Sequence, residues 1–234
     1  MKVGEAMEYD EWIDGLFNRR QRNQFELEWE EDWVSKVDSL SSSEILGLIA
    51  KTFTKAGEYL RRFPDTQIAL GLKYVTTEGG GDLRKIYDVG VTTSERLAVI
   101  NSIYILFRDC LAFRCSDCSE ETGDDLDTYA YMFWDAGSSC IYSIVHSKID
   151  DKEELIEAIL NVLEKTLTIP NAMCQQAAIH GLGHAKMSIK SNIRGKNRTN
   201  WLERIDEMLC RYCLSTTDEP LKVYAYQART GAIQ

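Results

Sequence analysis

The sequence has little proline, little histidine and no long apolar run. Three prolines in 234 residues leave most of the chain free to form long helices, because proline removes a backbone donor and breaks a helix interior. No stretch approaches the roughly 18 apolar residues of a membrane span, and the most apolar one, 97–107, is interrupted by Asn101 and Ser102. The first residues also lack the basic start and apolar core of a secretory signal. We therefore expect a cytoplasmic protein without a membrane partner.

Basic residues are in deficit as well. The chain has 27 Lys and Arg against 37 Asp and Glu, a net charge of −10. Such a field repels nucleic acid and attracts basic proteins, so we expect a basic protein partner and no nucleic acid. The alternative is that the acidity serves solubility alone. The seven cysteines, an odd number, are predicted to be thiols because the cytoplasm is reducing.

Apolar residues recur at helical spacing along nearly the whole chain. Phe25, Trp29, Trp33 and Val37 follow one another every four residues, which predicts one face of a helix within the first 37 residues. The alternation over 25–29 favours a short strand as the alternative. Further helices are predicted at about 44–63, 64–78, 94–113, 126–145, 151–163, 171–185, 199–213 and 217–230.

This pattern predicts an all-α fold. Residues 151–185 and 199–230 each have the length of a stacked helical hairpin, although no residue-level repeat relates them. We expect a multi-helix domain of stacked antiparallel helix pairs, similar to HEAT repeats or other α-solenoids. It is predicted as a single domain over 1–234, with an acidic helical segment at 1–65 and a helical core at 66–234. The most apolar helix, at 94–113, is expected at its centre.

The sharpest short motif is His180-Gly181-Leu182-Gly183-His184. On a helix, side chains four positions apart lie on one face, and paired imidazoles are good zinc ligands. The metalloprotease version has a general-base Glu directly after the first His, and here that position is Gly181. The favoured interpretation is therefore structural: the glycines allow a neighbouring backbone to approach closely, and the histidines bond to carbonyl groups. A metal or ligand role is the alternative.

Two CxxC pairs, Cys115–Cys118 and Cys210–Cys213, suggest zinc less strongly. Zinc ribbons bring such pairs within roughly 15 to 20 residues of each other, whereas these are separated by most of the C-terminal half. Core or loop thiols are the favoured interpretation, and no cofactor is expected. Five basic residues between Lys186 and Arg198 predict a solvated loop, which has no aromatic residues for base stacking.

Two acidic segments are the candidate partner-binding surfaces. Residues 1–35 contain ten acids against four bases, and 115–127 contains six acids and no base. Aromatic side chains rimmed by charge are common at tight interfaces. The candidate contact residues are Trp12, Trp29, Trp33, Glu30, Glu31, Asp32, Asp117, Glu120, Glu121, Asp124, Asp125 and Asp127. For the acidic segment at 115–127, plain solvation is the alternative.

Several strings resemble a family of bacterial all-helical proteins of unknown function, part of which is similar to HEAT-like stacks. The resemblance covers about 66–234. It is carried by Arg96-x-Ala98-Val99-Ile100, Phe113-Arg114-Cys115, Tyr131-Met132-Phe133-Trp134-Asp135, the A-x-x-H-G-L-G-H motif at 177–184, and the string from Tyr224 to Gly231. It implies a helical stack that binds other macromolecules, and it implies no active site.

We predict a binding protein without catalytic activity. The leading hypothesis is an immunity-type inhibitor that binds and neutralises a basic toxin domain, such as the nuclease domain of an antibacterial toxin. The alternative is a metal-dependent enzyme or ligand-binding protein centred on His180 and His184. A structural subunit that assembles through its own helices is the third hypothesis. The oligomeric state is left open.

Overall fold

The computed structural model describes residues 7–23, 26–77, 81–117, 124–136 and 140–232. These residues form thirteen α-helices and one two-stranded antiparallel hairpin, so the predicted all-α, multi-helix class is confirmed. The helices are α1 Tyr9–Phe17, α2 Glu31–Asp38, α3 Ser42–Thr54, α4 Ala56–Tyr59, α5 Asp65–Thr76, α6 Thr93–Leu106, α7 Ala112–Arg114, α8 Asp125–Ala136, α9 Ile141–His146, α10 Lys152–Thr166, α11 Ala172–Asn192, α12 Lys196–Ser215 and α13 Glu219–Thr230. The strands are β1 Gln21–Asn23 and β2 Glu26–Leu27, and a π-helical turn, Phe107–Leu111, joins α6 to α7.

Local capping groups begin and end the helices where the sequence predicts. Ser41 caps α3 in a reciprocal capping box with Glu44. The Asn171 side chain accepts a hydrogen bond from the amide of Cys174 at the start of α11. Gly231 ends α13 with a φ of 80°, a conformation that glycine adopts without steric cost. These ends depend on groups within four residues, so they can be inferred without the tertiary fold.

The predicted helix through Trp29 is wrong. The chain leaves α1 after Phe17 and turns back through the β1–β2 hairpin. The turn is held from outside: the amide N–H of Arg19 donates to the side chain of Gln67, and the Gln67 amide donates to the Arg19 carbonyl at 2.7 Å. Trp29 precedes α2 and packs on Tyr74 with ring centroids 4.1 Å apart. Phe25 lies outside the described residues.

Other boundaries also differ from prediction. The helix expected over 126–145 is two helices, α8 and α9. The predicted basic loop is largely helical, because α11 continues to Asn192 and α12 begins at Lys196. Ile189 explains the continuation, since it is fully buried one turn beyond the buried Ala185 and extends the apolar face of the helix. Lys186 is held by the carboxylate of Asp206.

Helix α11 has the most varied surroundings. It packs against α8, α9, α10, α12 and α13, whereas α6 packs mainly on α3 and α10. Its glycine and alanine content suits this position, because small side chains allow close helix approach. The buried apolar residues form one connected cluster that extends from Met7 to Ala228. Within the described parts of the chain, no helix is both long and apolar enough to cross a membrane.

Candidate metal centre

Two histidines and one carboxylate converge on the surface of α11. The imidazole rings of His180 and His184 lie on one face with centroids 4.5 Å apart. Asp135, near the end of α8, brings its carboxylate to 3.7 Å from Nδ1 of His184. One ligand atom from each of the three lies within 4.8 Å of the others, and the described residues contain no other such group of three or more His, Cys, Asp or Glu. This donor set is one that zinc and ferrous ions accept.

A chain of hydroxyl groups orients His180. Its Nδ1 lies 2.7 Å from the hydroxyl of Tyr224, which lies 2.9 Å from the hydroxyl of Tyr131. The ring of Tyr131 also packs on the imidazole at 4.4 Å. When Nδ1–H donates to Tyr224, Nε2 keeps its lone pair and is directed away from the tyrosines. Second-layer bonds of this kind are the usual way in which proteins orient metal-binding histidines.

The imidazole nitrogens opposite these contacts have no partner. Nε2 of His180 and Nε2 of His184 are both buried without a hydrogen bond, and His180 as a whole is 2% exposed. Buried polar atoms are nearly always paired, and an unpaired one costs about 1–3 kcal/mol. The expected bonds from the histidines to backbone carbonyls are therefore not the arrangement found here. Both imidazoles therefore have a ring nitrogen that is free to accept a bond.

Burial also sets the charge of the site. It lowers the pKa of His180 to about 4, with a further contribution from the neighbouring His184 and an opposing one from Asp135. His180 is therefore neutral at pH 7, which is the form that binds metal ions. Burial and the hydrogen bond to Tyr131 raise the pKa of Tyr224, so its hydroxyl stays protonated.

Gly181 allows the site to assemble. A Cβ atom there would lie 2.7 Å from Cγ of Trp134 and 2.8 Å from Cδ2 of Leu163, both too close for a real side chain. The absence of that atom allows α11 to approach α8 and α10. Since Asp135 follows Trp134 on α8, the same close approach brings the carboxylate to the histidines. The atoms that pack against Gly181 belong to side chains and not to the predicted neighbouring backbone. This close packing is compatible with the metal-ligand geometry.

A cavity of about 570 Å³ opens beside Asp135 and His184. Small-molecule sites commonly have volumes of 300–1,000 Å³. Its walls come from α8, α9, α10 and α11. The three candidate ligands therefore lie at one end of a space large enough for a small organic molecule.

The described cysteines of the two CxxC pairs do not belong to a comparable centre. Cys115 is buried, its thiol is directed at the carbonyl of Leu126, and burial raises its pKa. Cys118 lies outside the described residues. Cys213 directs its thiol to the carbonyl of Lys222. Among the described residues, neither pair belongs to a group of three candidate ligands.

The tryptophans predicted to contact a partner are core residues. Trp12 is fully buried and donates from Nε1 to the hydroxyl of Thr52 at 3.0 Å. Trp33 is 5% exposed, and Trp29 is half-buried and stacks on it at 5.6 Å. The prediction that Trp12 and Trp33 anchor a partner is wrong for this conformation, because their rings are covered by other helices. Among their acidic neighbours, Glu30, Glu31 and Asp32 are exposed.

In the second acidic segment, 115–127, several carboxylates accept hydrogen bonds from nearby protein groups. Asp127 is 4% exposed and accepts bonds from the amide and hydroxyl of Ser116, so it cannot contact a partner. Asp117 accepts from the amide of Ala172 at the start of α11. Asp124 accepts from the amide of Leu126 at the start of α8. Asp125 is exposed, while Glu120 and Glu121 lie outside the described residues.

Sequence reasoning missed the third ligand and the orienting tyrosines. Asp135, Tyr131 and Tyr224 lie in the strings that carry the family resemblance, and this was a signal for them. No spacing rule connects them with His180, because they come from other helices.

No family model matches the chain, and neither a curated protein nor a solved structure is significantly similar to it. The resemblance to a bacterial helical family therefore stays a prediction.

Proposed function

We propose that this protein binds a divalent first-row transition-metal ion through Asp135, His180 and His184, and that the ion serves the adjacent cavity as a ligand-binding centre. The observation that carries the proposal is the convergence of one carboxylate and two imidazoles whose Nε2 atoms are buried without partners. A metal ion at this point would be coordinated by one nitrogen of each imidazole.

The donor set favours a centre with open coordination positions. Two imidazoles and one carboxylate leave one position on a tetrahedral zinc ion and three on an octahedral ferrous ion. Closed structural zinc sites instead use four protein ligands. Since the cavity adjoins two of the ligands, an open position can be filled by water or by a bound molecule.

The spacing allows an ion to enter with little rearrangement. Ligand atoms held at about 2.0–2.1 Å from a tetrahedral ion lie about 3.4 Å apart. The three candidate atoms lie within 4.8 Å of one another, so they need to move closer. The Asp135 side chain is 40% exposed and is free to swing, while the buried His180 stays in place.

Metal analysis tests the proposal. We expect about one zinc or iron ion per chain in protein purified without a polyhistidine tag. Co²⁺ added to the metal-free protein should bind and give visible absorption bands typical of a metal site of low symmetry. His184→Ala and Asp135→Asn should each weaken binding more than about 100-fold.

His146→Ala is the matched control, because His146 is the only other histidine in the sequence and its ring stacks on Tyr142 outside the site. It should bind metal as the unchanged protein does. Failure of the unchanged protein to take up zinc, iron or cobalt would refute the proposal, as would an equal loss in His146→Ala.

A second candidate is the binding of a basic protein partner, such as the nuclease domain of a toxin, in the manner of an immunity protein. The exposed acids Glu30, Glu31 and Asp32 at the start of α2 favour it, as does the net charge of −10. A pull-down from native lysate should recover a stoichiometric basic protein, and the double change Glu31→Lys and Asp32→Lys should release it. Recovery of no such protein would count against this candidate.

A further inference from the structure

The cavity beside the candidate metal centre has a defined long axis. Gly181, His184, Ser188 and Asn192 line it and recur every three or four residues, so they form one wall along α11. His184 and Asn192 are eight residues apart, which corresponds to roughly 12 Å along a helix. The cavity therefore extends from the candidate metal ligands to the end of α11.

The walls combine apolar and neutral polar side chains. Trp134, Ile141, Leu163 and Met187 provide the apolar ones. Ser188, Ser191 and Asn192 provide neutral hydrogen-bonding groups towards the end of the helix. Of the described residues that line the cavity, none is Lys or Arg. An occupant therefore meets no side-chain cation in the cavity.

The charge of the metal-bound centre determines which charged group of a ligand it can bind. A divalent ion bound by one carboxylate and two neutral imidazoles has a net charge of +1, and a second anionic oxygen ligand would neutralise it in a partly buried place. Trp134 lines the cavity at this end, where the pyrrole side of its ring faces Gly181.

We propose that the cavity binds a monocarboxylate with an apolar body and an uncharged tail, whose carboxylate completes the coordination of the metal held by Asp135, His180 and His184. This inference rests on the proposed metal site. Since none of the described lining residues is Lys or Arg, the ion is the positive group that they leave to an anion, and a second charged group on the ligand would find no ionic partner among them.

Calorimetric titration with octanoate tests the inference on zinc-loaded protein. Octanoate should bind at least about tenfold more tightly than 1-octanol, than octylammonium, or than the dicarboxylate suberate. The preference for octanoate should vanish in metal-free protein and in His184→Ala.

A cavity-filling variant separates the two proposals. Ser188 is partly exposed and lines the cavity, so Ser188→Trp should fill the space, abolish octanoate binding and still bind one zinc ion. Lys190→Trp, at an exposed position on the same helix that does not line the cavity, is the control and should bind both.

The outcomes are distinguishable. Zinc uptake without any preference for octanoate overturns the inference and leaves the metal site standing. Octanoate binding of equal strength with and without zinc also overturns it, because the head group would then not be on the metal. Absence of zinc uptake refutes the proposed function itself, and the metal measurement reports that independently of octanoate.

Discussion

Two regions of the molecule contain the same packing contact, a tryptophan ring against a helical glycine, in different surroundings. In the N-terminal region the indole of Trp33 lies directly on Gly15 of α1, and a Cβ atom at Gly15 would overlap that ring. In the C-terminal region the indole of Trp134 lies on Gly181 of α11. Each contact allows two helices to approach more closely than side chains would permit.

The surroundings of the two contacts differ. The ring of Trp33 packs against the rings of Trp12, Trp29 and Tyr74. These aromatic side chains fill the space beside it. Trp134 packs on Phe107 and Phe133, but a cavity opens beside it.

Unpaired polar atoms show what the difference means. The indole Nε1 atoms of Trp33 and Trp134 are both buried without partners, so an unpaired indole does not by itself indicate a site. Of the two contacts, only the C-terminal one adjoins two imidazoles and a carboxylate whose ligand atoms lie within 4.8 Å of one another. Each of these imidazoles also has a buried Nε2 without a partner. A cluster of polar side chains with unpaired atoms distinguishes a candidate binding site from a packed core.

The largest effect is expected from Gly15→Ala. The new methyl group overlaps an indole that is held on several sides, so the free energy of unfolding should fall by about 3 kcal/mol. Denaturant titration measures the loss, and metal affinity should not change. Gly47→Ala is the control, because a Cβ there meets nothing within 4 Å; it should be neutral or stabilising by up to about 1 kcal/mol. Equal effects at the two positions would contradict the packing argument.

Gly181→Ala should lower the free energy of unfolding less than Gly15→Ala does, but it should also weaken metal binding. The nearest atom, Cγ of Trp134, would lie 2.7 Å from the new Cβ, which is a smaller overlap than at Gly15, so we expect a loss of about 2 kcal/mol. Because α8 is pushed away from α11, Asp135 moves from the histidines and zinc affinity should fall about tenfold. Calorimetry with zinc measures this. A variant that loses stability and keeps full affinity would show that Asp135 is not a ligand.

Tyr224→Phe should weaken metal binding in the C-terminal region and leave the packing of the N-terminal region unchanged. It removes the hydrogen-bond partner of His180 Nδ1, and loss of such a partner typically weakens metal binding 10–100-fold. We expect a change at the lower end, about tenfold, because the Tyr131 ring still holds the imidazole. Tyr226→Phe, at an exposed position on the same helix, should have no effect, and an equal loss there would rule out the orienting role.

The smallest effect concerns the ion pair that joins the two regions. Arg96 on α6 bonds to the carboxylate of Asp151 at 2.9 Å and to the carbonyl of Ile86. Burial acts to raise the pKa of Asp151, but hydrogen bonds from Thr93 and Arg96 outweigh it, so its pKa is lowered.

A carboxyl group whose pKa is lower in the folded state stabilises the protein above its ordinary pKa, and that stabilisation is lost as the pH falls through the folded value. Acid titration of the free energy of unfolding should therefore show a decline below about pH 4 that is weaker in Asp151→Asn. Parallel curves for the two proteins would mean that the pair contributes nothing to the acid dependence.

Local features of this protein were predictable. The caps at Ser41 and Asn171 lie within a few residues of the amides that they bind, and the all-α class follows from the apolar period. The shared face of His180 and His184 follows from a spacing of four on a helix. In each case the partners are close in the chain, so the helix geometry alone places them.

The tertiary structure decided the rest. The turn at Arg19 depends on Gln67 of α5, and burial of Trp12 and Trp33 depends on which helices cover them. Asp135 and Tyr224 reach the histidines from α8 and α13, and Gly181 brings α8 close enough. No period in the sequence encodes these contacts, because they arise when distant helices pack to exclude water from their apolar faces.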